Sequence, residues 1–185
     1  MSKTFFKEYF KFMQAGMESV NKDDLIVAAE TIQAVSQKGN KLIIAGNGGS
    51  AAMASHVSVD FTKAAGIRAV NFNEADLLTC FANDYGYERV FEKAVEFYGD
   101  KGDLLILISS SGSSANVVNA ARLAIELDIG VITFTGFKSD NPLRQLGDIN
   151  FWVDSKAYNI VEMTHHIWLV AIVDYIIGHI EYPAS

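Results

Sequence analysis

The stretch Lys41-Leu42-Ile43-Ile44-Ala45-Gly46-Asn47-Gly48-Gly49-Ser50-Ala51 decides the fold. A short apolar run stops at clustered glycines, and a helical pattern follows, which is the order of strand, tight turn and helix in one βα unit. The same order recurs where Asp103–Ile108 runs into Ser109-Ser110-Ser111-Gly112-Ser113-Ser114-Ala115-Asn116 and a further helical pattern. Arg68–Phe72, Gly130–Thr135 and Ile149–Val153 are also short apolar runs bounded by turn residues. Strands alternating with helices at this spacing predict an α/β fold: a three-layer parallel sheet of about five strands with helices on both faces.

Outward from this core, Phe6, Phe10, Met13 and Met17 recur at helical spacing, and Leu25, Ala28, Ile32 and Val35 form a second helix after the cap residue Asn21. Two leading helices are therefore expected over residues 1–38, followed by an α/β core over 39–185. The last long helix is expected from about Asn159 to about His179. No repeat, Pro-rich linker or charge block divides the chain, so 1–185 reads as a single domain.

Composition narrows the function. Of 185 residues half are apolar and a fifth charged, which excludes a disordered chain. Lys plus Arg (15) against Asp plus Glu (22) leaves a net charge of −7, so no nucleic-acid partner is expected. The one cysteine, Cys80, reads as a small core residue and asks for no oxidising compartment. Charges scattered through the first ten residues do not make a signal peptide, and the run Ile167–Val173 falls short of the ~20 residues of a membrane span. A soluble, cytoplasmic protein with no membrane partner is expected.

The two loops carry the chemistry. Glycines after the first strand let the backbone turn tightly and approach a ligand, and the helix that follows offers its N-terminal N–H groups to an anion. The second loop sets five serine hydroxyls around Gly112, enough donors to surround phosphate oxygens without a lysine or arginine. Both loops follow parallel strands, so both open at the carboxyl edge of the sheet, where ligands of open α/β folds bind.

Gly46–Ala51 and Ser109–Asn116, with Asn83-Asp84-Tyr85-Gly86-Tyr87 between them and Val161-Glu162-Met163-Thr164-His165 near the end, resemble the sugar isomerase (SIS) domain family and, within it, the phosphoheptose isomerase group. The resemblance covers nearly the whole chain. It implies a flavodoxin-like SIS fold, a phosphorylated sugar of the heptose 7-phosphate class as substrate, and aldose–ketose isomerisation through proton transfer beside the carbonyl. It further implies that Ser109, Ser111 and Ser114 hold the phosphate, that Asn47, Gly48 and Ser50 contact the sugar chain, and that Asp84 lies near the reacting carbons. A homotetramer packed through the leading and last helices, with sites at the interfaces, is also implied.

The chain departs from the family at the acid–base positions. The family glutamate is here Asp60, and the glutamine and histidine of the last helix are Val161 and Leu169. His165 shares the face of Val161 and Leu169 by its spacing of four and could supply an imidazole, so Asp60 and His165 are the candidate catalytic pair. No cofactor is required for this chemistry. Some family members bind zinc; the candidate ligands here are His56, Asp60 and His165. Two other readings compete. One is a non-catalytic SIS protein that senses a sugar phosphate or acts through protein partners, motivated by the lost glutamine and histidine. The other takes Gly46, Gly48 and Ala51 as a dinucleotide fingerprint with Glu74 as ribose acceptor, but it leaves the serine loop unexplained.

Overall fold

A computed structural model describes residues 3–181; the outer residues of the domain expected over 1–185 lie outside the described residues. Five parallel strands, β1 (Leu42–Gly46), β2 (Ala69–Val70), β3 (Leu104–Ser109), β4 (Gly130–Thr135) and β5 (Ile149–Trp152), form one sheet in the order β2-β1-β3-β4-β5. The helices are α1 (Lys3–Glu18), α2 (Lys22–Gln37), α3 (Gly49–Lys63), α4 (Ala75–Tyr85), α5 (Val90–Tyr98), α6 (Ala115–Glu126) and α7 (Tyr158–Ile177).

Strand residues alternate between two cores because successive side chains point to opposite faces. Leu42, Ile44, Leu104, Ile106, Ile108, Ile132 and Phe134 face α2, α3 and α7, with Ala28, Ile32, Met53, Val57, Phe61, Val161, Trp168 and Leu169 packed against them. Ile43, Ala45, Leu105, Leu107 and Val131 face the other way, onto Phe91, Ala94 and Val95 of α5 and Val117, Ala121 and Ala124 of α6. Helix α2 begins where the sequence places it: the Asn21 side chain accepts the Asp23 N–H, satisfying one of the free donors of the first turn. Helix α1 lies on α7, and the Trp168 indole donates to the Met17 carbonyl at 2.9 Å.

Two readings, on the second strand and on Cys80, are corrected. The second strand is two residues long rather than Arg68–Phe72, because the Asn71 side chain donates to Ser58 Oγ and accepts the Asn73 N–H, turning the chain out of the sheet. Cys80 is exposed on α4, its thiol 3.6 Å from an Asp84 oxygen. Helix α7 is long and apolar enough to cross a membrane, with a mean hydropathy of 1.5. In this fold it is a core helix, packed against α1, α2, α3 and β4.

The strand order changes direction between β1 and β3, since the chain leaves β1 toward β2 on one side and continues from β3 toward β4 on the other. Gly46 pairs in register with Ile108, so the loops that follow β1 and β3 lie side by side above the carboxyl edge.

Candidate functional site

The first loop is shaped by its glycines. Gly48 has φ 56°, a left-handed conformation open to glycine at little cost, and it caps α3. A Cβ at Gly46 would lie 2.6 Å from Ser50 Cβ and 2.7 Å from the Ile108 carbonyl oxygen. The two strand ends could then no longer approach. In the second loop Gly112 has φ 61°, and a Cβ there would collide with the Asn141 amide.

The loops are tied together by an amide pair. Asn47 Nδ2 donates to Asn116 Oδ1 at 3.0 Å and Asn116 Nδ2 donates back to Asn47 Oδ1 at 2.9 Å. Tyr87 adds its hydroxyl to the same Asn47 oxygen at 2.9 Å, which brings the Asn83–Tyr87 stretch to the site. Asn116 is buried at the start of α6, so this pair holds Asn47 from below.

Between the loops lies a cavity of about 190 Å³ lined by Asn47, Ser50, Ile108, Ser109, Ser110, Ser111, Ser114, Tyr158 and Glu162. No lysine or arginine is among the lining residues. Ser109 and Ser110 are buried, and the Ser110 hydroxyl has no hydrogen-bond partner, an orphaned donor at a site that can receive an anion. The helix α6 begins at Ala115 directly after the serines and directs its N-terminal dipole at the loop.

Five of the expected residues, Asn47, Ser50, Ser109, Ser111 and Ser114, meet around this cavity, with Gly48 beside them as the cap of α3. Asp84 does not line it. It occupies the last turn of α4, exposed, with its oxygens near Asn83 Nδ2 and the Cys80 thiol.

His165 must be corrected. It is fully buried within its own subunit, its Nε2–H donating to the Thr135 carbonyl at 2.9 Å and its ring edge-on to Phe134. Desolvation pushes its pKa down to about 4, so it is neutral near pH 7 and out of reach of a neighbouring subunit. The physical reason is the face of the helix: Val161, His165 and Leu169 are all turned into the core.

The neighbouring stripe, Tyr158, Glu162 and His166, repeats every four residues and faces α3. Tyr158 and Glu162 line the cavity. One turn on, His166 Nε2 lies 2.8 Å from His56 Nδ1, and His56 Nε2 lies 3.2 Å from an Asp60 oxygen. Desolvation, and then the charge of His56, lower the pKa of His166. Glu162 and His166 are the residues sequence reading passed over. The signal lay in the four-residue repeat of polar groups on an otherwise apolar helix.

The zinc set His56, Asp60 and His165 is not assembled. His165 faces the sheet, and His56 turns one ring nitrogen to His166 and the other to Asp60, so the donors do not converge on a point. Among the described residues no three His, Cys, Asp or Glu side chains gather to hold a metal ion. The residues as placed do not fit a zinc centre.

A serine-lined cavity without a cationic side chain, at the switch point of a five-stranded parallel sheet and facing a helix N-terminus, is the arrangement of a phosphate-binding α/β domain. The chain belongs to the SIS domain family, whose model matches residues 6–136. A phosphoheptose isomerase of Aliarcobacter butzleri is 38% identical over 83% of this chain and 79% of its own length. That of Helicobacter pylori is 32% identical over 94% and 91%. The solved phosphoheptose isomerase of Neisseria gonorrhoeae superposes with a TM-score of 0.85 at 32% identity, covering 94% of this chain and 96% of that one.

Proposed function

We propose that this chain is a sugar-phosphate aldose–ketose isomerase acting on a phosphoheptose of the sedoheptulose 7-phosphate class. The observation that carries this reading is the serine-lined cavity with a carboxylate, Glu162, in its wall. Ser109, Ser111 and Ser114 hold the phosphate together with the α6 N-terminus, and Asn47 and Ser50 take the hydroxyls of the sugar chain. Asp60, paired with His56 at the far end of the polar stripe, works on the protons of the sugar oxygens. The relatives named phosphoheptose isomerase support the substrate class.

A homotetramer is part of the proposal. Phe5, Phe6, Phe10 and Phe12 of α1 are all more than half exposed, an aromatic surface that asks for a partner of the same kind. A cytoplasmic setting suits the free, exposed thiol of Cys80.

The test is incubation of the pure protein with sedoheptulose 7-phosphate in deuterium oxide. An isomerase converts the sugar and incorporates deuterium beside the carbonyl. Tight binding without conversion or incorporation would instead support the sensor reading, which the loss of the family glutamine and histidine at Val161 and Leu169 motivates.

A further inference from the structure

The chain lacks an imidazole where the family presents one, because Leu169 is buried and apolar and His165 faces the core. Isomerisation still needs a group beside the sugar to carry the carbon-bound proton. Two carboxylates lie along the groove between α3 and α7, and they differ in engagement. Asp60 is paired with His56 and does not line the cavity. Glu162 lines the cavity, and among the described residues its carboxylate takes no hydrogen bond or ion pair.

Its position is defined from both sides. On α7 it stands one turn after Tyr158 and one turn before His166, on the stripe that faces α3. Across the groove it meets the first turn of α3 at Gly49. A Cβ at Gly49 would lie 2.8 Å from Glu162 Cδ and 3.0 Å from Oε1, with Oε2 closer still. Gly49 has no left-handed φ to require a glycine, and the space its missing Cβ leaves is taken up by the end of the Glu162 side chain. An unpaired acid thus stands against the first turn of α3 in the same cavity wall as Asn47 and Ser50, within reach of a sugar anchored by its phosphate in the serine loop.

We propose that Glu162 is the catalytic residue that moves the carbon-bound proton of the sugar phosphate, an inference that rests on the isomerase reading above. The ionised carboxylate takes a proton from C1 of the ketose, and the C1–H electron pair forms the C1–C2 double bond. The C2 carbonyl oxygen receives a proton by way of the Asp60–His56 pair, which draws it from solvent water, giving an enediol. While the enediol stands, the protonated Glu162 carboxyl exchanges with solvent; it then delivers a proton to C2 as the C1 hydroxyl releases its own to the Asp60–His56 pair and closes to the aldehyde. One proton enters from water and one leaves, so the step balances. Burial pushes the Glu162 carboxyl above its ordinary value, toward the range in which a group both accepts and returns a proton.

The experiment compares wild type, Glu162→Gln and Glu162→Asp in deuterium oxide with sedoheptulose 7-phosphate, following incorporation by NMR and binding by calorimetry. Glu162→Gln keeps the volume and is expected to lower incorporation ~10²-fold or more with affinity within a few-fold of wild type. Glu162→Asp is expected to retain incorporation above that of Glu162→Gln, which a packing role for the side chain would not produce. Incorporation by Glu162→Gln at the wild-type rate would overturn the assignment while leaving the isomerase reading in place. So would loss of binding in parallel with incorporation, which would make Glu162 a binding or structural group. A wild type that binds the sugar but neither converts it nor incorporates deuterium would overturn the isomerase reading and the assignment together.

Discussion

At the scale of single residues, His165 shows how burial reverses a role suggested by type and spacing. Its imidazole is satisfied on one side by the Thr135 carbonyl and has no partner for Nδ1 on the other, which leaves it a neutral core group. Protonation in the native state must await a pKa of about 4, whereas an unfolded histidine titrates near 6.5. The unfolded chain therefore binds more protons between these values, and the stability fully present above pH 6.5 falls as pH drops toward 4. Between pH 7 and pH 5 this amounts to about 2 kcal/mol for one group. His165→Gln is expected to remove that much of the pH dependence in urea unfolding at the two pH values; an unchanged dependence would show that the histidine titrates normally. Asp60→Asn is expected to lower turnover of the sugar phosphate at least ~10-fold while leaving its calorimetric affinity intact, and undiminished turnover would remove Asp60 from the reaction.

At the scale of elements, the loops were legible and the last helix was not. Gly46, Gly48 and Gly112 sit where a strand end, a left-handed turn or a neighbouring amide demands them, and such demands are local enough to be read from the chain. The serine loop meets the glycine loop because β1 and β3 are register neighbours, whereas alternation of strand and helix implied only that both loops open at the carboxyl edge. Helix α7 is different: nearly uniform apolarity gives it no strong polar face, so spacing alone allows two stripes one residue apart. The stripe through His165 was chosen by resemblance, whereas packing against the sheet turns it inward and presents Tyr158, Glu162 and His166 to α3. Asn116 is a further element-scale feature that sequence left unassigned, because its partner Asn47 is 69 residues away. Asn116→Ala leaves the Asn47 amide without its reciprocal partner and is expected to cost ~1–3 kcal/mol in denaturant unfolding and to weaken sugar-phosphate binding in calorimetry. Wild-type values for both would show that the loops hold their shape independently.

At the scale of the whole molecule, an acidic protein offers an anionic ligand no long-range attraction, and the cavity holds no cationic side chain. Affinity then comes from hydroxyls and a helix dipole at short range, which salt screens poorly. The dissociation constant is expected to change less than ~3-fold between low and moderate salt, and a steep salt dependence would point to a basic groove elsewhere. The aromatic surface of α1 belongs to the same scale, since four exposed phenylalanines on one helix are more than a monomer ordinarily leaves in water. Light scattering at micromolar concentration is expected to return the mass of four chains, and a monomer would contradict the proposed assembly.

The most direct measurement is a crystal structure of the protein with sedoheptulose 7-phosphate bound. The phosphate is expected between the two loops, within ~2.7–3.2 Å of the hydroxyls of Ser109, Ser111 and Ser114, with the first two carbons of the sugar turned toward Glu162. A sugar phosphate held away from the serine loop, or bound there with its reacting carbons facing only apolar side chains, would contradict the account.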